Sequence, residues 1–358
     1  MINYIFKRIG LLVVTIFFAM LVVYLIQATF GRNPFTQDGA ITPPRGQNLS
    51  DLISKQLTEN GFDRAPIVRF FIYFSGLFHG NLGRVYVAQL RIPGSIFEPL
   101  RWTLLITFPS FVISAIFGVT LGTISAYKKG KLVDRVINGV TTFISAIPTV
   151  VFVPLTVVFA YKYVGLPYSF INPRPEAGVG FDRTLLSLIT PIFVFTITSL
   201  SGYTVITRNQ MVQVLTSNQV LIARTKGLSP FEVFKKHVLR NASLPIMDTI
   251  LRSFFSLLYG TVFLERFFGV PGSASAILDA QQSGEINVIM FVLLFFGTLS
   301  LGVSILVDVI LTIFDPRVRL GRKSRWSVRF KMGLGSLRRW GFFPKKTLPS
   351  LKVNKIKG

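Results

Sequence analysis

Six stretches of this sequence are apolar over about the length needed to cross a bilayer, and nothing else in it restricts the fold as strongly. They run from Ile9 to about Phe30, Trp102 to Tyr127, Val136 to Tyr161, Leu185 to Thr207, Leu244 to Leu264 and Val288 to Phe314. A hydrocarbon core of about 30 Å takes about 20 helical residues, and inside it every backbone N–H and C=O must be bonded by the protein itself. Long helices meet both demands, so the sequence predicts an all-α membrane protein with six transmembrane helices. Composition agrees: 50% of residues are hydrophobic and 15% charged, against about 25% charged in soluble domains. The first run is longer than a signal-peptide core and ends in Ile26-Gln27-Ala28-Thr29-Phe30, which predicts a retained span.

The chain carries 39 Lys+Arg against 15 Asp+Glu, a formal charge of +24. In a soluble protein that excess would suggest nucleic acid. Here the basic residues lie between and after the apolar runs, which points to topology and to anionic lipids, with no nucleic-acid partner expected. If six spans alternate, Lys7/Arg8, the Lys128-Lys129-Gly130-Lys131…Arg135 connection, the Arg208 to Arg240 connection and the tail after Phe314 share one side. That side is predicted to be cytoplasmic and to hold both termini. The tail from Pro316 to Gly358 has about fourteen Lys/Arg and no acid.

Four regions result: a start and first span (1–30), an extracytoplasmic segment (31–99), a core of five spans (100–315) containing a loop at 208–243, and a basic tail (316–358). Within the second region, Ile67 to Phe78 is apolar but short and interrupted by Arg69. It suits either a helix lying in the membrane interface or one buried in a small external subdomain.

Cysteine is absent, and His79 and His237 lie far apart. No metal site, catalytic constellation or cofactor site is expected. No phosphate-binding loop occurs either, since Gly321-Arg322-Lys323-Ser324 lacks the upstream glycine. Any ATP used belongs to another chain. Asp248 and Arg252, four apart on one helical face, are expected to form a structural ion pair, and Asp308 a helix-end or inter-subunit pair. Thr103, Thr107, Ser145, Thr149, Thr196 and Thr198 are candidates to line a pathway, although the pattern does not fix which helix faces point inward.

The most informative loop is Gln219 to Pro245. Gly227 can supply the positive φ that ends a first short helix, Ser229 can cap a second, Pro230 fits its first position, and Glu232 completes a Ser-x-x-Glu capping box. Phe231, Phe234, Val238 and Leu239 are expected to form its apolar stripe. Physics alone leaves two readings, an interfacial loop or a knob that docks into a partner through the small Ala223 and Gly227.

Ala223-Arg224-Thr225-Lys226-Gly227-Leu228-Ser229-Pro230 followed by Arg240-Asn241-Ala242-Ser243-Leu244-Pro245 resembles the coupling loop of ABC-importer permeases in its oligopeptide/dipeptide form. Leu221 stands where the general pattern has Glu. Gly31-Arg32-Asn33-Pro34-Phe35, Gly80-Asn81-Leu82-Gly83, Glu265 to Gly272 and Asp315-Pro316-Arg317-Val318-Arg319 resemble further signatures of that family in the same order. The resemblance implies a type I ABC importer permease (MetI-like) core with an extracytoplasmic insertion between helices 1 and 2. It also implies a peptide pathway shared with a homologous second permease, and a substrate-binding lipoprotein outside. Two ATPases would bind ATP and Mg and act on residues 223–230. Related permeases serve nickel chelates, glutathione or oligosaccharides. The competing readings are a membrane scaffold with a basic tail and a self-contained ion- or proton-coupled carrier.

Overall fold

The computed structural model describes residues 2–36, 48–86, 92–174, 176 and 178–314. Among these residues the chain is helical, its only extended pairing a single antiparallel bridge between Arg174 and Val179. Helix α1 (Ile2–Phe30) leads through a 3-10 turn (Pro34–Thr36) to α2 (Leu49–Glu59) and α3 (Pro66–Leu77). Then come α4 (Ile92–Tyr127), α5 (Leu132–Ala146), α6 (Thr149–Phe159) with a π turn at Ala160–Val164, and α7 (Phe181–Leu215). Helices α8 (Asn218–Thr225) and α9 (Pro230–Val233) precede a π segment (Phe234–Leu239) and α10 (Arg240–Gly260), and the chain continues through α11 (Val262–Phe268), α12 (Ser273–Gln282) and α13 (Ile286–Phe314). The chain divides into two compact units at Asp308/Val309. The first holds α1 to α12 and most of α13; of the second, only the helical stretch to Phe314 is described. The basic tail lies outside the described residues.

Among the described residues, four helices are long and apolar enough to cross a membrane, and the number reaches six if each of two bent pairs is one span. The expected span over Val136–Tyr161 is one of those pairs: α5 and α6 meet at 102°. Its cause is local. A residue before proline is driven out of the helical region, and Ile147, preceding Pro148, has ψ of 119°. Proline is tolerated elsewhere, since α4 contains Pro99 and Pro109 and α7 contains Pro191 without ending. The second pair bends by 45° between Leu258 and Val262.

The two longest helices, α4 and α7, form the centre. Gly118 and Gly122 lie one turn apart on α4, and a Cβ at those positions would fall 2.7 Å from Tyr203 Cβ and 2.6 Å from Thr207 Cβ, respectively. Small residues at this spacing let two backbones approach closely. Replacing Gly122 by Leu is therefore expected to separate α4 from α7, at a cost of about 1–3 kcal/mol, read as a lower unfolding temperature in detergent. An unchanged melting curve would contradict this packing.

Many large apolar side chains face outward, among them Leu11, Phe18 and Val22 on α1, Phe117 on α4, and Leu155 and Val158 on α6. Water would penalise such a surface, and lipid or an apolar partner does not. Helix α3 combines features of both sequence readings. Phe70 and Tyr73 are buried against Phe17, Met20 and Tyr24 of α1, whereas Ile67, Val68, Phe71 and Ile72 remain exposed.

Candidate functional site

The loop after α7 is built as its residue types dictate. Gly227 has φ of +79° and breaks the chain after α8. Ser229 Oγ accepts from the Glu232 backbone N–H while the Glu232 carboxylate accepts from the Ser229 backbone N–H, giving the capping box with Pro230 at the first turn. The Lys236 ammonium reaches Glu232 at 3.3 Å.

Beyond this cap the structure departs from two separate short helices. The chain passes from α9 through the π segment into α10 with helical dihedrals at Val233, Leu239 and Arg240. The wider π turn also changes which residues face inward. Val233, Phe234 and Val238 are buried, whereas Phe231 is 62% exposed and Leu239 38% exposed, so the expected stripe is corrected to the first three.

Ala223 is corrected as well. It is buried with Val220 against Val233, Phe234, Val238 and Met211, because positions three apart on α8 share its inward face. It offers no surface for docking. Arg224, Thr225, Lys226, Gly227, Ser229 and Pro230 are exposed, Leu228 is half-buried, and the large apolar groups on the outer face are Leu221, Ile222 and Phe231. The platform beneath is tied down in two ways: Asn241 Nδ2 donates to Gln219 Oε1 at 2.9 Å, and the Phe234 ring packs edge-on against Tyr127 of α4.

A second support joins the α4–α5 turn to α7, and sequence reasoning misses it. Arg208 grips Asp134 with two bonds, Nε to Oδ1 at 2.6 Å and Nη2 to Oδ2 at 2.9 Å. Ser125 Oγ and the Gly130 N–H donate to the same carboxylate. The available signal is one acid among Lys128, Lys129, Lys131 and Arg135, a segment whose charge bias marks it only as a basic connection.

Asp248 and Arg252 do pair, at 2.6 Å, within a larger set. Arg252 Nη2 also donates to Asp308 Oδ1 at 2.6 Å, a further nitrogen of Arg252 reaches Ser304, and Arg8 pairs with Asp308. The network joins α1, α10 and α13, and it gives Asp308 partners within this chain.

The pathway candidates separate. Thr103 and Thr107 are fully buried; Thr103 donates to Glu265 Oε1 at 2.6 Å and Thr107 to the Thr103 carbonyl. Thr198 donates to a carbonyl of its own helix, while Thr196 is buried with its hydroxyl unpartnered. Ser145 shares a hydrogen bond with Ser201 at 2.8 Å, and Thr149 is exposed. The fully buried Glu265 also accepts from Thr261 and from the Ser275 N–H, so Thr103 belongs to a carboxylate-centred joint between α4, α11 and α12. No group of three or more metal-ligating side chains occurs among the described residues.

Helices that cross a membrane and the capped loop fused to α10 form the part of the chain that a known family matches. The family described as binding-protein-dependent transport system inner membrane component covers residues 118–320. This chain belongs to that family.

Membership makes it a multi-pass membrane protein and a component of a transport system. Among curated relatives of this transport component, the oligopeptide transport system permease protein OppB of Mycoplasma genitalium is 32% identical over 345 residues, 95% of this chain and 83% of that protein. The dipeptide transport system permease protein DppB of Lactococcus lactis subsp. cremoris is 27% identical over 322 residues, 89% of this chain and 100% of that protein. A solved structure of an amino acid ABC transporter is also similar, at 14% identity with a TM-score of 0.45, covering 63% of this chain and 94% of that one.

Proposed function

We propose that this permease component carries peptides, forming half of a pathway completed by a homologous second permease. Peptides are the class named for both OppB and DppB, and the likeness extends over most of the chain. An external binding protein delivers the ligand, and two ATPases on the inner side bind ATP and Mg and do the hydrolysis. Both termini and the 208–243 loop face the cytoplasm, as the basic connections favour, and residues 31–99 face outward.

The observation that carries the mechanism is the continuity of the capped loop with α10. Exposed Leu221, Ile222 and Phe231 offer apolar contacts for an ATPase groove, and the stretch 224–230, exposed except at half-buried Leu228, completes the knob. A push on that knob is transmitted along an unbroken helical path to α10, and through the Asp134–Arg208 clamp to α5 and α7. Rocking these helices alternates access between the two sides.

The test is reconstitution in vesicles with the second permease, the ATPases and the binding protein, and then uptake of a labelled oligopeptide. Uptake is expected to need both ATP and the binding protein. Uptake that persists without the ATPases would show a self-contained carrier instead.

A further inference from the structure

Where the 81–86 segment meets α2 and α3, the structure contains an open cavity of about 400 Å³. Arg64, Arg69 and Arg84 converge on it together with Tyr24, Tyr73 and Tyr86. Three cationic side chains lining one hollow give it a positive potential that favours an anion. Among the described residues none of the three forms an ion pair. The one acid on the cavity wall, Glu59, lies 3.9 Å from Lys55.

The second observation is independent of charge. Tyr73 is only 8% exposed, yet its hydroxyl has no hydrogen-bond partner. An orphaned buried hydroxyl is costly unless something fills the role. Burial raises the Tyr73 and Tyr86 phenols above their ordinary range, so both stay protonated and able to donate. The surrounding groups are held in place: Arg69 lies over the Phe62 ring at 4.0 Å, and Tyr86 accepts from Asn287 Nδ2 at 3.3 Å.

We infer that this cavity is a binding site for an oxyanion, a phosphate or carboxylate group held by Arg64, Arg69 and Arg84 with the Tyr73 hydroxyl as an added donor. Planar guanidinium forks match both groups in two-point contacts. The source is either a lipid headgroup or a soluble anion. Two features favour the lipid: Tyr24 belongs to the apolar helix α1, and the exposed face of α3 carries Ile67, Val68, Phe71 and Ile72. Neither source depends on which substrate the transporter carries.

The experiment uses the full chain in detergent and measures binding by thermal shift and by native mass spectrometry. The probes are dihexanoyl-phosphatidylglycerol, dihexanoyl-phosphatidylcholine, inorganic phosphate, and a tripeptide with a free or an amidated C-terminus. At least one anionic probe should stabilise the chain, while the zwitterionic lipid and the amide should not. Arg64→Gln with Arg84→Gln should weaken that probe at least about tenfold, and Tyr73→Phe should weaken it several-fold. Phosphatidylglycerol acting alone identifies a headgroup; phosphate or the free tripeptide acting as well identifies a soluble anion. If no anionic probe binds, or if binding is equal in wild type and in these variants, the inference is overturned.

Discussion

Gly227→Val is expected to leave the protein assembled in the membrane while reducing peptide uptake and ligand-stimulated ATPase activity of the reconstituted complex to background. There is room for the new side chain, since no atom lies within 4 Å of a Cβ built there. The obstacle is the backbone. At φ of +79° a non-glycine residue is strained by roughly 1–2 kcal/mol, and a β-branched one more. That strain is relieved by unwinding the turn between α8 and α9, which removes the Ser229 cap and moves Leu221, Ile222 and Phe231 off their platform. Because the turn is exposed, the membrane helices keep their packing and only the transmission to α10 fails. Gly227→Asn separates shape from side-chain size: asparagine tolerates left-handed backbone, so this variant should retain most of the uptake. Wild-type transport by the valine variant would remove the turn from the coupling mechanism.

Arg208→Leu is expected to produce the largest loss of stability. Asp134 has a side chain only 5% exposed and depends on two bonds from Arg208, which is itself 21% exposed. Removing the guanidinium leaves a buried carboxylate with only Ser125 and the Gly130 N–H, and breaking a buried pair from one side costs about 3–5 kcal/mol. The expected readout is a fall in melting temperature on the order of 10 °C. Adding Asp134→Asn should recover part of that loss, because the stranded charge disappears and the amide still has Ser125 and Gly130 nearby. Equal melting temperatures for wild type and Arg208→Leu would show that the carboxylate is solvated instead of clamped.

Several features of the site are legible in the sequence, and each is governed by neighbours in the chain. The capping box at Ser229 and Glu232, the break at Gly227 and the Asp248–Arg252 pair all involve residues within four positions of each other. The features that sequence reasoning misjudges depend on distant partners. Ala223 reads as a free small surface, but α9 and the π segment pack over it. Thr103 reads as a polar cavity residue, but its hydroxyl donates to Glu265, which lies 162 positions away. Arg208 reads as one more basic loop residue, but α5 brings Asp134 beside it.

The sequence by itself determined that this chain lives in a membrane, because the length of its apolar runs and the placement of its charges are properties of composition along the chain. It also determined the local punctuation of the loop, because caps and left-handed turns are set by short-range sterics and hydrogen bonds. Only the tertiary structure decided that the Val136–Tyr161 run is broken at Ile147–Pro148 while other prolines are absorbed, since the fate of a freed carbonyl depends on what packs beside it. It likewise decided which face of α8 looks outward, how Arg8, Asp248, Arg252 and Asp308 share their charges, and that three arginines of the 31–99 segment surround one cavity. Those outcomes come from contacts between elements far apart in sequence, which a single chain's periodicity does not encode.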